Sequence, residues 1–122
     1  MATILIIEDD PILSQLLQEV LEDEGHRACI AASLSEASVA VRSQPISLVV
    51  ADLVEFDQRG EAETIKALRT VAAGRPVLLC SGQPEAPRMG DLAGIAGVVS
   101  KPFDCETLLE HVEAALAGAP RS

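Results

Sequence analysis

The stretch Thr3 to Asp9, TILIIED, leaves this chain few folds to choose from. Four apolar residues, Ile4 to Ile7, run directly into Glu8, Asp9 and Asp10, and Pro11 follows at once. A short β-branched apolar run bounded by breakers predicts a strand buried on both faces, as in a parallel sheet covered by helices. Asp10 reads as an N-cap and Pro11 as the first helical residue, because proline's fixed φ suits that position and its missing N–H would have no partner there. Glu8 and Asp9 therefore stand where a buried strand turns into a helix. In an open α/β sheet the carboxyl ends of the strands are where ligands bind.

The pattern then recurs along the chain. Ile12, Leu13, Leu16, Leu17, Val20 and Leu21 keep helical spacing on one face, and Gly25 is placed to end that helix. Arg27 to Ala31 predicts a second strand, and Ser33 with Glu36 a capping box for a second helix that stops before Pro45. Ile46 to Ala51 predicts a third strand that again runs into an acid, Asp52. Leu53 to Gly60 reads as a loop and Glu61 to Ala73 as a helix with Ile65, Leu68 and Ala72 inward, ended by Gly74. Pro76 to Cys80 predicts a fourth strand, ending at Ser81 and Gly82. From Gln83 to Gly97, Pro84, Pro87, Gly90 and Gly94 restrict any helix to about two turns, so this segment is expected to be irregular and mobile. Val98 to Ser100 predicts a short fifth strand before Lys101, Pro102 and Phe103, and Asp104 caps a last helix with Leu108, Leu109, Val112, Ala115 and Leu116 on its apolar face.

Strands alternating with helices predict an α/β domain, a doubly wound five-stranded parallel sheet of flavodoxin-like type, because right-handed crossovers place helices on both faces. Its expected order is 2-1-3-4-5, with the switch point between strands 1 and 3. At 122 residues the chain is read as one domain, with a tail over 118–122 that is expected to be disordered.

Composition removes several classes of function. Lys and Arg number 9 against 19 Asp and Glu, and the net charge of −10 comes without a basic run, so no direct nucleic-acid binding is expected. No apolar run approaches the ~20 residues that span a bilayer, so the chain is expected to be soluble and cytoplasmic, with no membrane contact. Cys29, Cys80 and Cys105 are an odd, scattered set without C-x-x-C spacing, which reads as reduced thiols filling apolar space.

The order 2-1-3-4-5 brings Glu8 and Asp9 beside Asp52 at one sheet edge, with Ser81 a strand further on and Lys101 beyond it. Two carboxylates about 5 Å apart repel by roughly 3 kcal/mol at an effective dielectric near 20, so three together call for a cation. An open, all-oxygen site suits Mg²⁺, which keeps several waters and bridges carboxylates to phosphate. Asp52 is then a candidate nucleophile for an aspartyl phosphate, a reaction that needs mainly positioning and charge neutralisation. Each residue alone reads as an ordinary capping acid, turn residue or solvated lysine. It is their coincidence at strand ends that points to a site.

With these residues in place, the whole chain resembles a receiver domain of the response regulators of bacterial two-component signalling. Glu8 and Asp9 stand as the family's acidic pair, Asp52 as its phosphoacceptor, Ser81 as the hydroxyl at the end of the fourth strand, Lys101-Pro102-Phe103 as its K-P-F, and Gly60 as its loop glycine. The resemblance implies that Asp9, Asp52 and the backbone carbonyl of Val54 ligate Mg²⁺, while Glu8 acts mainly through bound water. It also implies that Lys101 pairs with the phosphoryl group, that Ser81 swings to hydrogen-bond it and that Lys101-Pro102 is a cis peptide. The implied partners are a sensor histidine kinase or a histidine phosphotransfer protein and a downstream protein target, with the chain a monomer or weak dimer. A receiver only promotes its own phosphorylation and dephosphorylation, so no enzyme is expected.

Some positions depart from the pattern. Phe56 replaces the family's usual proline, and Val98 replaces the aromatic residue three positions before the lysine, so no large rotamer swing can report on Ser81. Ordering of the Pro/Gly-rich segment before the fifth strand is the expected substitute switch. Val54 cannot hydrogen-bond an attacking water, so a comparatively persistent phosphoryl group is expected. The alternative reading is a pseudo-receiver, an interaction module that binds partners without phosphorylation. A phosphohydrolase is disfavoured because Val54 fills the second acidic position of D-x-D, and dinucleotide binding because the first strand-to-helix turn holds acids where a phosphate cradle needs glycines.

Overall fold

The computed structural model describes residues 2–52, 61–81, 95–100 and 104–117, with the backbone alone at 52, 61–65, 81, 95–98 and 100. Five strands form one parallel sheet in the order β2-β1-β3-β4-β5: β1 Thr3–Ile7, β2 Arg27–Ala31, β3 Leu48–Asp52, β4 Val77–Ser81 and β5 Ile95–Ser100. Among the described residues the helices are α1 Pro11–Asp23, α2 Leu34–Ser43, α3 Glu61–Ala72 and α4 Cys105–Leu116. The expected fold class and strand order are those observed.

Alternation along the strands decides which helix each side chain meets. Leu5 and Ile7 of β1, Val49 and Ala51 of β3, and Val77 and Leu79 of β4 pack with Ala37 and Val41 of α2 and Leu68 and Ala72 of α3. Ile4, Ile6, Leu48, Val50, Leu78 and Cys80 point the other way, onto Leu17 and Leu21 of α1 and Leu108, Val112 and Ala115 of α4. The three central strands are closed on both faces, which is why their sequences run apolar without a polar alternation. Each Leu or Ile buried this completely contributes about 1.5–3 kcal/mol.

The helix ends are chemically specified. Asp10 Oδ1 accepts from the N–H groups of Ile12 at 2.9 Å and Leu13 at 3.3 Å, with Pro11 as first helical residue. At the other end of α1, Gly25 takes φ +89°, its N–H donates to Glu22 O, and the His26 N–H donates to Leu21 O. These two bonds make a Schellman closure that needs a left-handed residue where Gly25 stands. Ser33 Oγ caps α2 by accepting from Glu36 N–H at 3.2 Å, and the Glu36 carboxylate accepts from Ala32 N–H at 3.1 Å, one residue earlier than a standard capping box would have it. Asp104 Oδ1 accepts from Thr107 N–H at 2.7 Å at the start of α4.

Several expectations need correction. The third strand starts at Leu48 and includes Asp52, instead of running from Ile46 to Ala51. Ile46 is buried in the core, but its N–H turns back to Gln44 O at 2.9 Å, so it fills apolar space ahead of the ladder. The fourth strand runs from Val77, since Pro76 has no N–H to give to a ladder, and it reaches Ser81. The fifth strand begins at Ile95, not Val98: Ile95 pairs with Val77 and Gly97 with Leu78, and Ala96 is the extra residue of a register shift between them. The third helix ends at Ala72, because Ala73 at φ 52° and Gly74 at φ +91° are both left-handed. Ile12 and Leu16 of α1 do not face the core, being 80% and 51% exposed, and buried Ser14 takes an inward place with Leu17 and Leu21. Cys105 is exposed and fills no apolar space, whereas Cys80 is buried and Cys29 partly so.

The expected mobile segment 83–94, the 53–60 loop with Val54, Phe56 and Gly60, the Lys101-Pro102-Phe103 run with its cis peptide, and the 118–122 tail lie outside the described residues, as do the side chains of Ile65 and Val98.

Candidate functional site

Parallel pairing places the strand tips side by side. Ile7 pairs with Ala31 on one side and Ala51 on the other. Glu8 and Asp52 are the next residues along β1 and β3, so their backbones adjoin at the spacing of neighbouring strands, about 4.8 Å. Asp52 pairs with Cys80, Cys80 with Val99, and Ser81 with Ser100, which immediately precedes Lys101. The strand order thus brings the backbones at Glu8, Asp52 and Ser81 to one edge, with Lys101 next in sequence after the end of β5. The side chains of Asp52 and Ser81, and all of Val54 and Lys101, lie outside the described residues.

The two acids after β1 differ in environment. Glu8 is 6% exposed, and its N–H continues the ladder to Ala31 O at 3.0 Å. Its Oε1 accepts from Asp10 N–H at 3.2 Å, which folds the carboxylate back over the turn into α1. Asp9 is exposed. A buried carboxylate is costly unless its oxygens are hydrogen-bonded or meet a cation. The same turn is closed from the other side by the Asp10 cap, so one short run, Glu8-Asp9-Asp10-Pro11, ends a strand, begins a helix and holds one carboxylate in and one out.

Donor chemistry fits a hard divalent cation: the oxygens of Glu8 and Asp9 stand at the tip of β1, and the backbone of Asp52 lies on the adjacent strand. Among the described residues, no three of His, Cys, Asp and Glu are grouped so as to hold a metal. Of the carboxylates in the described part of the edge, Glu8 is buried, Asp10 is engaged as the helix cap and Asp9 is open to solvent.

Away from this edge lies a constellation that local sequence pattern did not reveal. The His26 ring, 8% exposed, accepts from Ala2 N–H at Nδ1 (3.3 Å), and its Nε2 lies 2.8 Å from Glu113 Oε2. With Nδ1 as acceptor, Nε2 carries the proton and donates to the carboxylate. The partners are 87 positions apart, so no spacing rule could join them. Their link ties the chain start, the turn after α1 and the last turns of α4 at the edge opposite the carboxylates.

Two titratable side chains away from this edge are shifted from their ordinary values. The Thr107 backbone N–H lowers the pKa of Asp104, and burial raises that of Cys29.

A family model described as the response regulator receiver domain matches residues 4–113. The probable transcriptional regulatory protein TcrX of Mycobacterium tuberculosis is 32% identical over 116 residues, 93% of this chain and 49% of that protein. Protein PilH of Pseudomonas aeruginosa is 30% identical over 121 residues, 97% of this chain and 100% of that protein. A solved response regulator receiver domain protein (CheY-like) from Methanospirillum hungatei superposes with a TM-score of 0.79 at 25% identity, covering 97% of this chain and 95% of that one. The chain spans half or less of the first curated relatives it matches: 49%, 50% and 26% of their lengths.

Proposed function

Because the chain belongs to the response regulator receiver domain family, a signalling family of two-component systems, we propose that it accepts a phosphoryl group on Asp52 and thereby switches a protein-binding surface. What supports the reading most directly is the sheet order, which sets the backbone of Asp52 beside a buried Glu8 and an exposed Asp9 and in line with Ser81.

In this reading an oxygen of the Asp52 carboxylate forms the bond to phosphorus as the P–N bond of a phosphohistidine donor breaks and the imidazole leaves. Lys101 pairs its ammonium with the phosphoryl oxygens, and the Ser81 hydroxyl donates a hydrogen bond to one of them. Asp9, Asp52 and the Val54 carbonyl would hold Mg²⁺, with Glu8 acting through bound water. Bound there, Mg²⁺ would neutralise the negative charge that gathers as phosphate meets carboxylate.

The donor is proposed to be a sensor histidine kinase or a histidine phosphotransfer protein, and the receiver of the signal a downstream protein. Direct nucleic-acid contact is not part of the proposal, given the net charge of −10. The chain is taken as a monomer or weak dimer. Among the described residues no helix is long and apolar enough to cross a membrane.

Incubation with acetyl phosphate and Mg²⁺, followed by intact-mass spectrometry, tests the proposal. One added phosphoryl group on the wild type, lost in Asp52→Ala and on chelation of Mg²⁺, is the expected result. An unchanged mass on the wild type, or equal phosphorylation of Asp52→Ala, would refute it.

A further inference from the structure

At the amino ends of the strands, across the sheet from the carboxylates, the packing leaves a hollow. Ala2 stands directly before β1, Ser47 before β3 and Pro76 before β4, and Glu113, Leu116 and Ala117 bring the end of α4 over them. Between them lies an open cavity of about 600 Å³. That volume is in the range of small-molecule sites. It exists because the residues that frame it are small: Ala2, Ser47 and Ala117 stand where longer side chains would close the space.

The cavity carries charge of one sign. Among the described residues that line it, Glu113 is charged and none is Lys or Arg. Glu113 belongs to the last turn of a helix that holds no base there, and a helix C-terminus adds a partial negative charge of its own. Helices α2 and α3, by contrast, carry Arg42 and Arg69 in their last turns. Arg75, beside Pro76, does not make up the difference, since its guanidinium donates to Ile46 O at 2.9 Å and Ala72 O at 3.1 Å. The Glu113 carboxylate is also fixed in place. His26 Nε2 donates to it at 2.8 Å, and Nδ1 of the same ring accepts from the Ala2 N–H at 3.3 Å, so one ring, 8% exposed, joins two walls of the cavity. With 61% of its side chain exposed, Glu113 keeps room for a second donor.

We infer that this cavity binds a small aliphatic amine, a primary ammonium on a short hydrocarbon body. The ammonium fits against the Glu113 carboxylate at the negative end of α4, where charge and dipole act together. The hydrocarbon lies along Ala2, Pro76 and Leu116, each partly buried. A carboxylate ligand would meet like charge and the wrong end of the helix. His26 acts through Glu113, as a positioning residue. The inference does not depend on phosphorylation of Asp52, which stands at the opposite edge of the sheet.

The test uses the full, unphosphorylated chain without Mg²⁺, so its outcome is separate from that of the phosphoacceptor reading. Hexylammonium, 1-hexanol and hexanoate are titrated in separately at constant ionic strength and followed by amide chemical shifts. The expected shifts saturate and concentrate at Ala2, Ser47, Glu113, Leu116 and Ala117, with hexylammonium bound most tightly and hexanoate least. Glu113→Gln weakens hexylammonium about fivefold, the scale of an ion pair open to solvent, and leaves hexanol unchanged. His26→Phe lowers the preference for hexylammonium over hexanol in the same direction, which a merely structural role would not do. Ala117→Leu, which fills the cavity, weakens both ligands. Equal affinity for hexanoate, an unchanged affinity in Glu113→Gln, or shifts gathered on Glu22, Asp23 and Glu24, which would mark attraction to net charge alone, would overturn the inference. Far-UV circular dichroism of the three variants checks that each remains folded.

Discussion

The two faces of the sheet are built alike inside and differently outside. On the α2/α3 side, Leu5, Ile7, Val49 and Leu79 are wholly buried, and on the α1/α4 side Ile4, Leu48 and Leu78 are equally so. Beyond these cores the resemblance ends. One layer closes helix against helix with balanced charge. The other carries two acidic helices, with Ile12 and Leu16 in solvent. The lesson is that alternation along a buried strand determines both cores at once, because one register serves both faces. Helix exteriors are under no such constraint and can diverge toward separate uses.

If the two cores are equivalent, truncating neighbouring residues of β4 should show it. Leu78→Ala opens a cavity under α1 and α4, and Leu79→Ala one under α2 and α3. Each is expected to cost about 3 kcal/mol in urea denaturation, since both side chains are fully buried. A cost on one side less than half that on the other would break the equivalence and mark that layer as loosely packed.

A smaller effect is expected at the start of α2. Ser33→Ala removes the acceptor for Glu36 N–H and should lower stability by about 1 kcal/mol. The same chemical denaturation measures it, and no change would mean that the Glu36 bond to Ala32 N–H closes the helix end alone.

The corresponding cap on α4 predicts a pH dependence. The Thr107 backbone N–H holds the Asp104 carboxyl below its ordinary value. Stability from this cap is therefore fully present above the unfolded-state pKa and is lost as pH falls through the lowered, folded-state one. Following the Thr107 amide resonance down the acid range should give a midpoint below the usual aspartate range. A midpoint at or above that range would contradict the cap.

Much of this architecture was readable in the residues themselves. The runs ILII, LVVA and VLLC are apolar because both faces are covered, and the caps Asp10, Ser33 and Asp104 each mark a helix start through local hydrogen bonds. Strand ends were less legible, for identifiable reasons. Ile46 has the apolarity of a strand residue but turns its N–H to Gln44, and Ile95 to Gly97 has the composition of a loop but is held by pairing with Val77 and Leu78. Pairing of that kind is a property of the neighbour and leaves no mark on the segment. On α1 the apolar spacing was wider than the buried stripe, so Ile12 and Leu16 read as core when Ser14 takes the inward place, its Oγ satisfied by Pro11 O at 3.2 Å. For the candidate site, the acids at the strand tips were visible as residue types at element ends. The difference between buried Glu8 and exposed Asp9 was not, because it depends on how the Asp10 N–H draws the Glu8 carboxylate inward.

The most direct test of the central claim identifies the acceptor atom by chemistry. After phosphorylation with acetyl phosphate and Mg²⁺, borohydride reduces an acyl phosphate and leaves homoserine where the acceptor aspartate stood, which peptide mass mapping can locate. The account predicts homoserine at position 52 and nowhere else. Reduction at Asp9 or Asp10, or a phosphoryl group that borohydride does not touch, would contradict it.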